Sequence, residues 1–258
     1  MHLELVSVTA TAPNTGAAGA AITGDSLTIK NGRGRQRIVA AWAKNQTAGH
    51  AQISFPSGHD TTRGYRVGIP AGLSIFLPLG IAIDVNAQET LNVNIAGSNT
   101  AGDVEQVSML VHYDDVPGIG SRLISPAQLD AKIEKLTSVE ASIVSTAGPS
   151  YGTAELISAD SDLLLANRDY AVIGATFRTS CMAGYMFGPD TAQMKIAVPG
   201  DSAKAEITAQ WFLLLSRAHG RPLIPVISSG NKGSTYLGVT ADENAGTFLV
   251  TWHLALLK

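Results

Sequence analysis

Charged side chains are scarce in this chain. Asp, Glu, Lys and Arg make up 15% of its 258 residues, against about 25% in typical soluble domains. The net charge is −3 and no long block of one sign is present, so the sequence lacks the basic footprint of a nucleic-acid-binding protein. The low charge is typical of a protein whose surface other copies partly cover. A monomer with a surface rich in Ser, Thr, Asn and Gly has the same composition.

Cysteine and long apolar runs are also lacking. The single Cys181 excludes an intrachain disulfide framework and a multi-thiolate metal site. No window approaches the roughly 20 apolar residues of a membrane-spanning helix. The start of the chain, Met1–Glu4, has no basic segment followed by an apolar core, so we expect a protein made without a secretory signal.

Short alternating segments occupy most of the chain. Leu3–Val8, Gln52–Phe55 and Leu91–Ile95 alternate apolar and polar residues, which is the pattern of half-buried strands. Clusters of Gly, Pro, Asn and Asp separate such segments at intervals of roughly 8–12 residues, as in β-sandwiches and barrels. The sequence therefore predicts an all-β fold.

The second half of the chain resembles the first. Three pairs of segments match in the same order: Ile38–Pro70 with Tyr170–Pro199, Ile95–Asn99 with Ile227–Asn231, and Val107–His112 with Phe248–His253. The offset between partners only grows along the chain, as duplication followed by loop insertion would produce. The repeat is longer than the roughly 20–50 residues of a solenoid unit. We therefore predict two tandem jelly-roll domains from an internal duplication, at 1–118 and 150–258, with Pro70 superposing on Pro199 and His112 on His253.

A first helix is predicted between the two repeats. Ser125 and Gln128 can form a capping box around a proline at the first helical position. Leu129, Ile133 and Leu136 then fall on one helical face, with charged residues around the rest. Residues 119–149 are thus predicted to be a linker that contains an amphipathic helix.

A second helix is predicted inside the second repeat, over Ser202–His219. Its apolar stripe consists of Ile207, Trp211, Leu214, Leu215 and Ala218. Gly220 suits a left-handed cap, and Pro222 prevents the helix from continuing.

The sequence has no recognisable catalytic constellation. None of its six histidines forms an i, i+2 pair on a strand, as a metal-binding barrel would require. No Gly-x-Ser-x-Gly motif is present, and the densest acidic segments, Asp114–Asp115 and Asp242–Asn244, are typical of solvated turns. Calcium binding by the second segment is the alternative. We predict no catalytic, cofactor-binding or metal-binding residues, no small-molecule substrate and no enzymatic activity.

One concentrated basic segment is present, at Lys30–Arg37. In an extended strand, Arg33, Arg35 and Arg37 would lie on one side, as a row able to contact the phosphates of a genome or an internal membrane. The alternative is a sheet edge whose charges discourage pairing with other sheets, and this is the interpretation that we favour. No aromatic residues interleave with the arginines, so stacking of single-stranded bases is not expected.

Taken together, the chain resembles the double jelly-roll major capsid proteins of tailless icosahedral phages and related viruses. The resemblance is architectural and depends on five segments: Ile38–Pro70, Tyr170–Pro199, Met194–Val198, Ser202–His219 and Leu223–Ile227. It implies a homotrimer whose six barrels form a pseudo-hexagonal tile of an icosahedral shell. The expected location is a virion that is assembled in the host cytoplasm. The expected further partners are other virion proteins, together with a genome or an internal membrane that the chain could contact.

Two other functions fit the same sequence pattern. One is another multimeric virion component, such as a spike, fibre or decoration protein. The other is a carbohydrate-binding β-sandwich protein, which would need exposed aromatic platforms. Aromatic residues are only 6% of the chain, and Trp42, Trp211 and Trp252 lie in apolar segments, so the capsid function is preferred.

Overall fold

Two compact units make up the chain. The computed structural model describes residues 1–11, 21–28, 33–45, 48–54, 65–86, 89–96, 104–115, 122–146, 152, 155–158, 164–240 and 245–258. The N-terminal unit is Val6–Asp115, and the C-terminal unit combines Met1–Leu5 with Val116–Lys258. Antiparallel sheets dominate both units, which confirms the all-β class.

The N-terminal unit is built from two antiparallel sheets. Its described strands are the part of β1 (His2–Thr11) from Val6 onward, β2 (Ala21–Thr28), β3 (Arg33–Asn45), β4 (Gly49–Ser54), β5 (Tyr65–Ile69), β6 (Gly72–Ile75), β7 (Ile83–Val85), β8 (Thr90–Ala96) and β9 (Val104–Asp115). The larger sheet has the order β1-β9-β3-β6, with β7 also paired to β3, and the smaller has the order β2-β8-β4-β5. Leu91, Val93 and Ile95 are fully buried, as the alternation in β8 predicts.

The C-terminal unit also has a larger and a smaller sheet. Its described strands are β10 (Leu123–Ile124), β11 (Ile133–Ser145), β12 (Glu155–Leu156), β13 (Asp169–Phe177), β14 (Ala183–Phe187), β15 (Ile196–Pro199), β16 (Ile224–Ser228), β17 (Tyr236–Thr240) and β18 (Gly246–Leu257). The larger sheet has the order β10-β16-β13-β18-β11, and the smaller has the order β12-β17-β14-β15.

The two units share one strand order. In the larger sheets, β1-β9-β3-β6 corresponds to β11-β18-β13-β16, and in the smaller sheets β2-β8-β4-β5 corresponds to β12-β17-β14-β15. The central strands also share an irregularity, because a register shift lies between Ile38 and Ala40 on β3 and between Val172 and Gly174 on β13.

One of the segment matches joins strands that do not correspond in this order, and another joins corresponding strands out of register. Ile95 lies in β8 of a smaller sheet, whereas Ile227 lies in β16 of a larger sheet. His112 pairs with Arg37, before the register shift of β3, but His253 pairs with Gly174, after the shift of β13. The Ile95–Ile227 equivalence is therefore wrong, whereas His112 and His253 lie on the corresponding strands β9 and β18 but do not superpose in register. Apolar strands that end in Gly, Ser and Asn recur throughout a β-rich chain, so short matches of this kind arise without common descent.

The first predicted helix is only seven residues long. The helix α1 (Pro126–Lys132) begins with the expected capping box: Ser125 Oγ accepts the Gln128 N–H, and Gln128 Oε1 accepts the Ser125 N–H. The chain then continues as β11, which pairs with β18 as far as Ser145. Segment 119–149 is therefore not a helical linker, and most of its described part is a strand of the C-terminal unit.

The helical prediction failed because two periodicities overlap after residue 132. Ile133 and Leu136 fit a helical period, but Val139, Ala141 and Ile143 fit a period of two. The last three are buried, while Leu136 is 70% exposed. β-branched residues are frequent in the segment and favour strand over helix, so the period of two determines the structure.

The second predicted helix is present but interrupted. A 3-10 turn over Ser202–Lys204 leads into α2 (Ala205–Thr208), and α3 (Trp211–His219) follows after a break. Gly220 forms the expected left-handed cap with φ 60°.

The apolar stripe of this helix is partly as predicted. Trp211 and Leu215 are fully buried, and Ile207 and Leu214 are half-buried. Ala218 is exposed instead of packed. Ala218 belongs to the last turn of α3, directly before the Gly220 cap, so the buried stripe ends before the helix does.

The helices cover part of one face of the larger sheet. Leu129 of α1 and Leu213 of α3 pack on a cluster of strand residues: Ala171, Ile173, Ile224, Val226, Ala255 and Leu257. A Cβ atom on Gly174 would lie 2.2 Å from the carbonyl oxygen of Thr208. Glycine at position 174 is therefore required for α2 to approach β13 this closely.

We expect Trp211→Ala to lower the free energy of unfolding by about 3–5 kcal/mol, because it removes a large buried side chain. Urea unfolding followed by circular dichroism measures this change. The control Arg217→Ala alters an exposed residue of the same helix and should change stability by less than about 0.5 kcal/mol. Equal stability of the two variants would contradict a core position for the indole.

Candidate interaction surfaces

Of the three arginines in the predicted row, only Arg37 has a described side chain. Arg33 and Arg35 belong to β3, but their side chains lie outside the described residues. A register shift between Arg33 and Gln36 breaks the regular pairing with β9. At Arg37, β3 pairs with β7 on one side and with β9 on the other, so the favoured interpretation as a sheet edge is wrong at this residue.

Arg37 is buried between two carboxylates. Its Nε lies 3.2 Å from Asp84 Oδ1, and its Nη1 donates to both carboxylate oxygens of Asp114 at 3.1 Å. His112 Nδ1 lies 3.4 Å from Asp114 Oδ1. Asp84 is on β7 and Asp114 is on β9, which both pair with β3, so the guanidinium ties three strands together. Asp114, predicted in a solvated turn, is thus part of an ion-pair network.

The acidic segment Asp242–Asn244, considered above for calcium, lies outside the described residues. Among the residues that are described, no group of three or more His, Cys, Asp or Glu side chains is placed to hold a metal ion.

No helix in the described part of the chain is long and apolar enough to cross a membrane.

Four of the six exposed large apolar side chains among the described residues form two pairs, one on each unit. Leu79 and Ile81 are 41% and 56% exposed in the turn between β6 and β7 of the N-terminal unit. Leu136 and Val144 are 70% and 62% exposed on β11 of the C-terminal unit. Isolated exposed apolar residues are common on protein surfaces, but pairs on one turn or strand are candidate contact points for other chains.

Part of the larger sheet in the C-terminal unit lies outside the helix-covered cluster. This open face consists of outward side chains of three adjacent strands: Leu136, Ser138, Glu140, Ser142 and Val144 on β11, Leu249, Thr251 and His253 on β18, and Thr176 on β13. At its centre Arg178 Nη2 donates to Glu140 Oε2 at 3.1 Å, and Thr176 Oγ1 lies 3.1 Å from His253 Nε2. Four side chains of this face, Ser138, Ser142, Thr176 and Thr251, carry small hydroxyl groups.

An aromatic cluster lies on the smaller sheet of the C-terminal unit. The rings of Phe187 and Tyr236 stack with their centroids 5.2 Å apart, and Tyr185 lies 6.1 Å from Phe187. Lys195 Nζ lies 5.6 Å and 5.8 Å from the Tyr185 and Phe187 centroids, within the range of cation–π attraction. The rings of Phe187 and Tyr236 are half-buried. A Cβ on Gly238 would lie 2.2 Å from the Tyr185 ring, so glycine there makes room for that ring.

This aromatic cluster was not predicted, because tryptophans were the only aromatic residues weighed as exposed platforms. The available signal was the i, i+2 spacing of Tyr185 and Phe187, which places both rings on one side of a strand.

Comparison with known proteins gives weak structural similarities. No protein-family model matches the chain, and a search of curated proteins finds no match. The PBSX exported protein XepA is 12% identical, with a TM-score of 0.27 over 98% of this chain and 86% of XepA. The major capsid protein P2 of bacteriophage PM2 is 10% identical, with a TM-score of 0.24 over 98% of both chains. These values describe a weak architectural resemblance.

Replacing Arg37 with glutamine should lower the free energy of unfolding by roughly 2–3 kcal/mol, because it leaves Asp84 and Asp114 without their shared cation. Chemical unfolding of the variant and the parent measures the difference. The control Arg178→Gln breaks a single ion pair whose arginine side chain is 66% exposed, so it should cost at most about 1 kcal/mol. A variant at Arg37 as stable as the control would contradict the structural role.

Stability should fall as the pH drops below about 6.5, partly because two histidines resist protonation in the folded chain. Burial lowers the pKa of His253, and burial together with Arg66 lowers the pKa of His50. On unfolding, both groups return to about 6.5, so the unfolded state binds protons first on acidification. Urea unfolding at several pH values should give a shallower decline for the double variant His50→Gln/His253→Gln. Parallel declines for parent and variant would contradict this assignment.

Proposed function

We propose that this chain is a structural virion protein, a major capsid protein whose two units are jelly rolls derived from one duplicated domain. The observation that carries the proposal is the shared strand order of the two units. When the short additional strands β7 and β10 are set aside, the first strand of each unit lies next to the last in a four-stranded larger sheet, as β11 lies next to β18. The second strand lies next to the penultimate one in the smaller sheet, as β12 lies next to β17. This nesting is the connectivity of a jelly roll with two four-stranded sheets.

Duplication accounts for this order more simply than chance. Eight strands match in position across the two units, and the central strands β3 and β13 share a register shift. Two unrelated sandwiches would have to agree at each of these places independently. The weak match to P2 of bacteriophage PM2 carries no part of this argument.

The geometry of a duplicated unit supports the proposed assembly into a shell. A threefold oligomer of a chain with two similar units has six similar sides, which suits a closed lattice of pseudo-hexagonal tiles. Leu79 and Ile81 on one unit, and Leu136 and Val144 on the other, offer the apolar contacts that subunit interfaces use. The proposed partners are therefore further copies of the chain and other virion proteins, and the proposed location is the virion.

Two alternatives keep specific support. A spike, fibre or decoration protein would use the same β units and trimer without a lattice. A carbohydrate-binding protein would use the half-exposed stack of Phe187 and Tyr236, because sugar rings pack on aromatic faces. The capsid proposal is preferred because the duplicated strand order serves a lattice and has no role in a single glycan site.

The mass of the purified chain in solution tests the proposal. Light scattering should give three times the 26.8 kDa of one chain, and electron microscopy should show hexagonal tiles or shells. Ile81→Asp should weaken the trimer or the lattice because it places a charge in an apolar contact, whereas Asn86→Asp, on an exposed residue, should leave assembly unchanged.

Each other outcome of this test has a defined meaning. A monomer at all concentrations would overturn the assembly function. A trimer that never forms tiles would favour the spike, fibre or decoration alternative. Glycan binding that Phe187→Ala abolishes would favour the carbohydrate-binding alternative.

A further inference from the structure

β11 forms an edge of the larger sheet in the C-terminal unit. It is 13 residues long and pairs with β18 on one side, and no strand in the described part of the chain pairs with its other side. A long unpaired edge presents a row of backbone N–H and C=O groups that another strand can join.

A hydrogen bond at Ser142 defines which backbone groups face this free side. The Ser142 N–H donates to Glu155 Oε2 at 2.8 Å, so it points away from β18. In an antiparallel ladder, alternate residues direct their N–H and C=O groups to opposite sides. The backbone groups of Leu136, Ser138, Glu140 and Val144 therefore face the free side with those of Ser142.

The side chains along this edge are arranged symmetrically around Glu140. Ser138 and Ser142 lie two residues to either side, and Leu136 and Val144 lie four residues to either side. If two copies of β11 paired antiparallel about a twofold axis at Glu140, Leu136 of one copy would lie opposite Val144 of the other. These are the two strongly exposed apolar residues of the strand, at 70% and 62%, and apolar cross-strand pairs stabilise such ladders.

The charge at the centre of this pairing is already compensated. Two Glu140 carboxylates would approach each other at the axis, which is unfavourable for isolated charges. Each Glu140 accepts a hydrogen bond from Arg178 of its own chain at 3.1 Å. Each side would therefore bring its own counter-charge to the axis.

Glu155 obstructs the pairing at one place. Its carboxylate accepts the hydrogen bond of the Ser142 N–H, the group that would otherwise pair with Ser138 of the second copy. The carboxylate also adds a negative charge beside the edge. We propose that β11 is a latent pairing edge for a second copy of this chain, and that Glu155 on β12 keeps that edge closed.

Disulfide trapping on the full-length chain tests the proposal. Antiparallel partners at a hydrogen-bonded position have Cα atoms about 5.5 Å apart, which suits a disulfide. Glu140→Cys should therefore form a linked dimer under mild oxidation when combined with Glu155→Ala, at least about tenfold faster than with Glu155 intact. Cys181 is fully buried and should not contribute.

Two controls make the trap specific for the proposed register. Glu134→Cys in the Glu155→Ala background should not crosslink, because residue 134 would lie opposite residue 146 of the second copy and not opposite itself. Adding Leu136→Lys to the Glu140→Cys/Glu155→Ala variant should slow crosslinking, since it places a charge opposite Val144. Equal crosslinking at 134 and 140, or the same rate with and without Glu155, would overturn the proposal. These readouts are specific to residue positions, so they do not depend on whether the chain forms trimers or shells.

Discussion

The long ladder between β11 and β18 is the interaction on which the C-terminal unit depends. It joins Ile133–Ser145 to Gly246–Leu257, strands more than a hundred residues apart in sequence. Closing a loop of that length costs conformational entropy, and this cost comes before the contacts of the ladder can offset it. Everything between the two strands, including α2, α3 and the whole smaller sheet, is enclosed by this pairing. The open face and the free edge of β11 exist only once it has formed.

Sequence-based predictions succeeded where local interactions determine the structure and failed where this ladder determines it. Alternating segments such as Leu91–Ile95 were correctly predicted as strands, because burial of one face imposes a period of two. The capping box at Ser125 was also correct, since capping depends on four neighbouring residues. The length of α1 was not predictable in this way. Ile133 and Leu136 fit a helix locally, and only pairing with distant β18 makes the segment a strand, which is an override of local preference by tertiary structure.

The candidate surfaces show a similar division. The arginine segment was noticed from its charge, but the role of Arg37 depends on Asp84 and Asp114, whose positions are set by the pairing of β7 and β9 with β3. The register shift that separates Arg33 from Gln36 has no signature in composition. Likewise, Tyr185, Phe187 and Tyr236 meet because β14 pairs with β17, so no spacing along the chain brings out all three rings.

A protein that assembles from β units faces two opposing requirements. It must leave enough apolar surface uncovered for subunits to bind, yet its strand edges must not pair indiscriminately, because an open edge accepts almost any extended chain. In the C-terminal unit these requirements meet on one strand, where Leu136 and Val144 remain exposed while Glu155 occupies an edge N–H group. A carboxylate suits this position because it satisfies the backbone donor and also repels the carbonyl oxygens of an incoming strand. Apolar side chains such as Leu136 and Val144 can then contact other subunits, while backbone pairing at the edge of β11 is limited to the proposed register with a second copy.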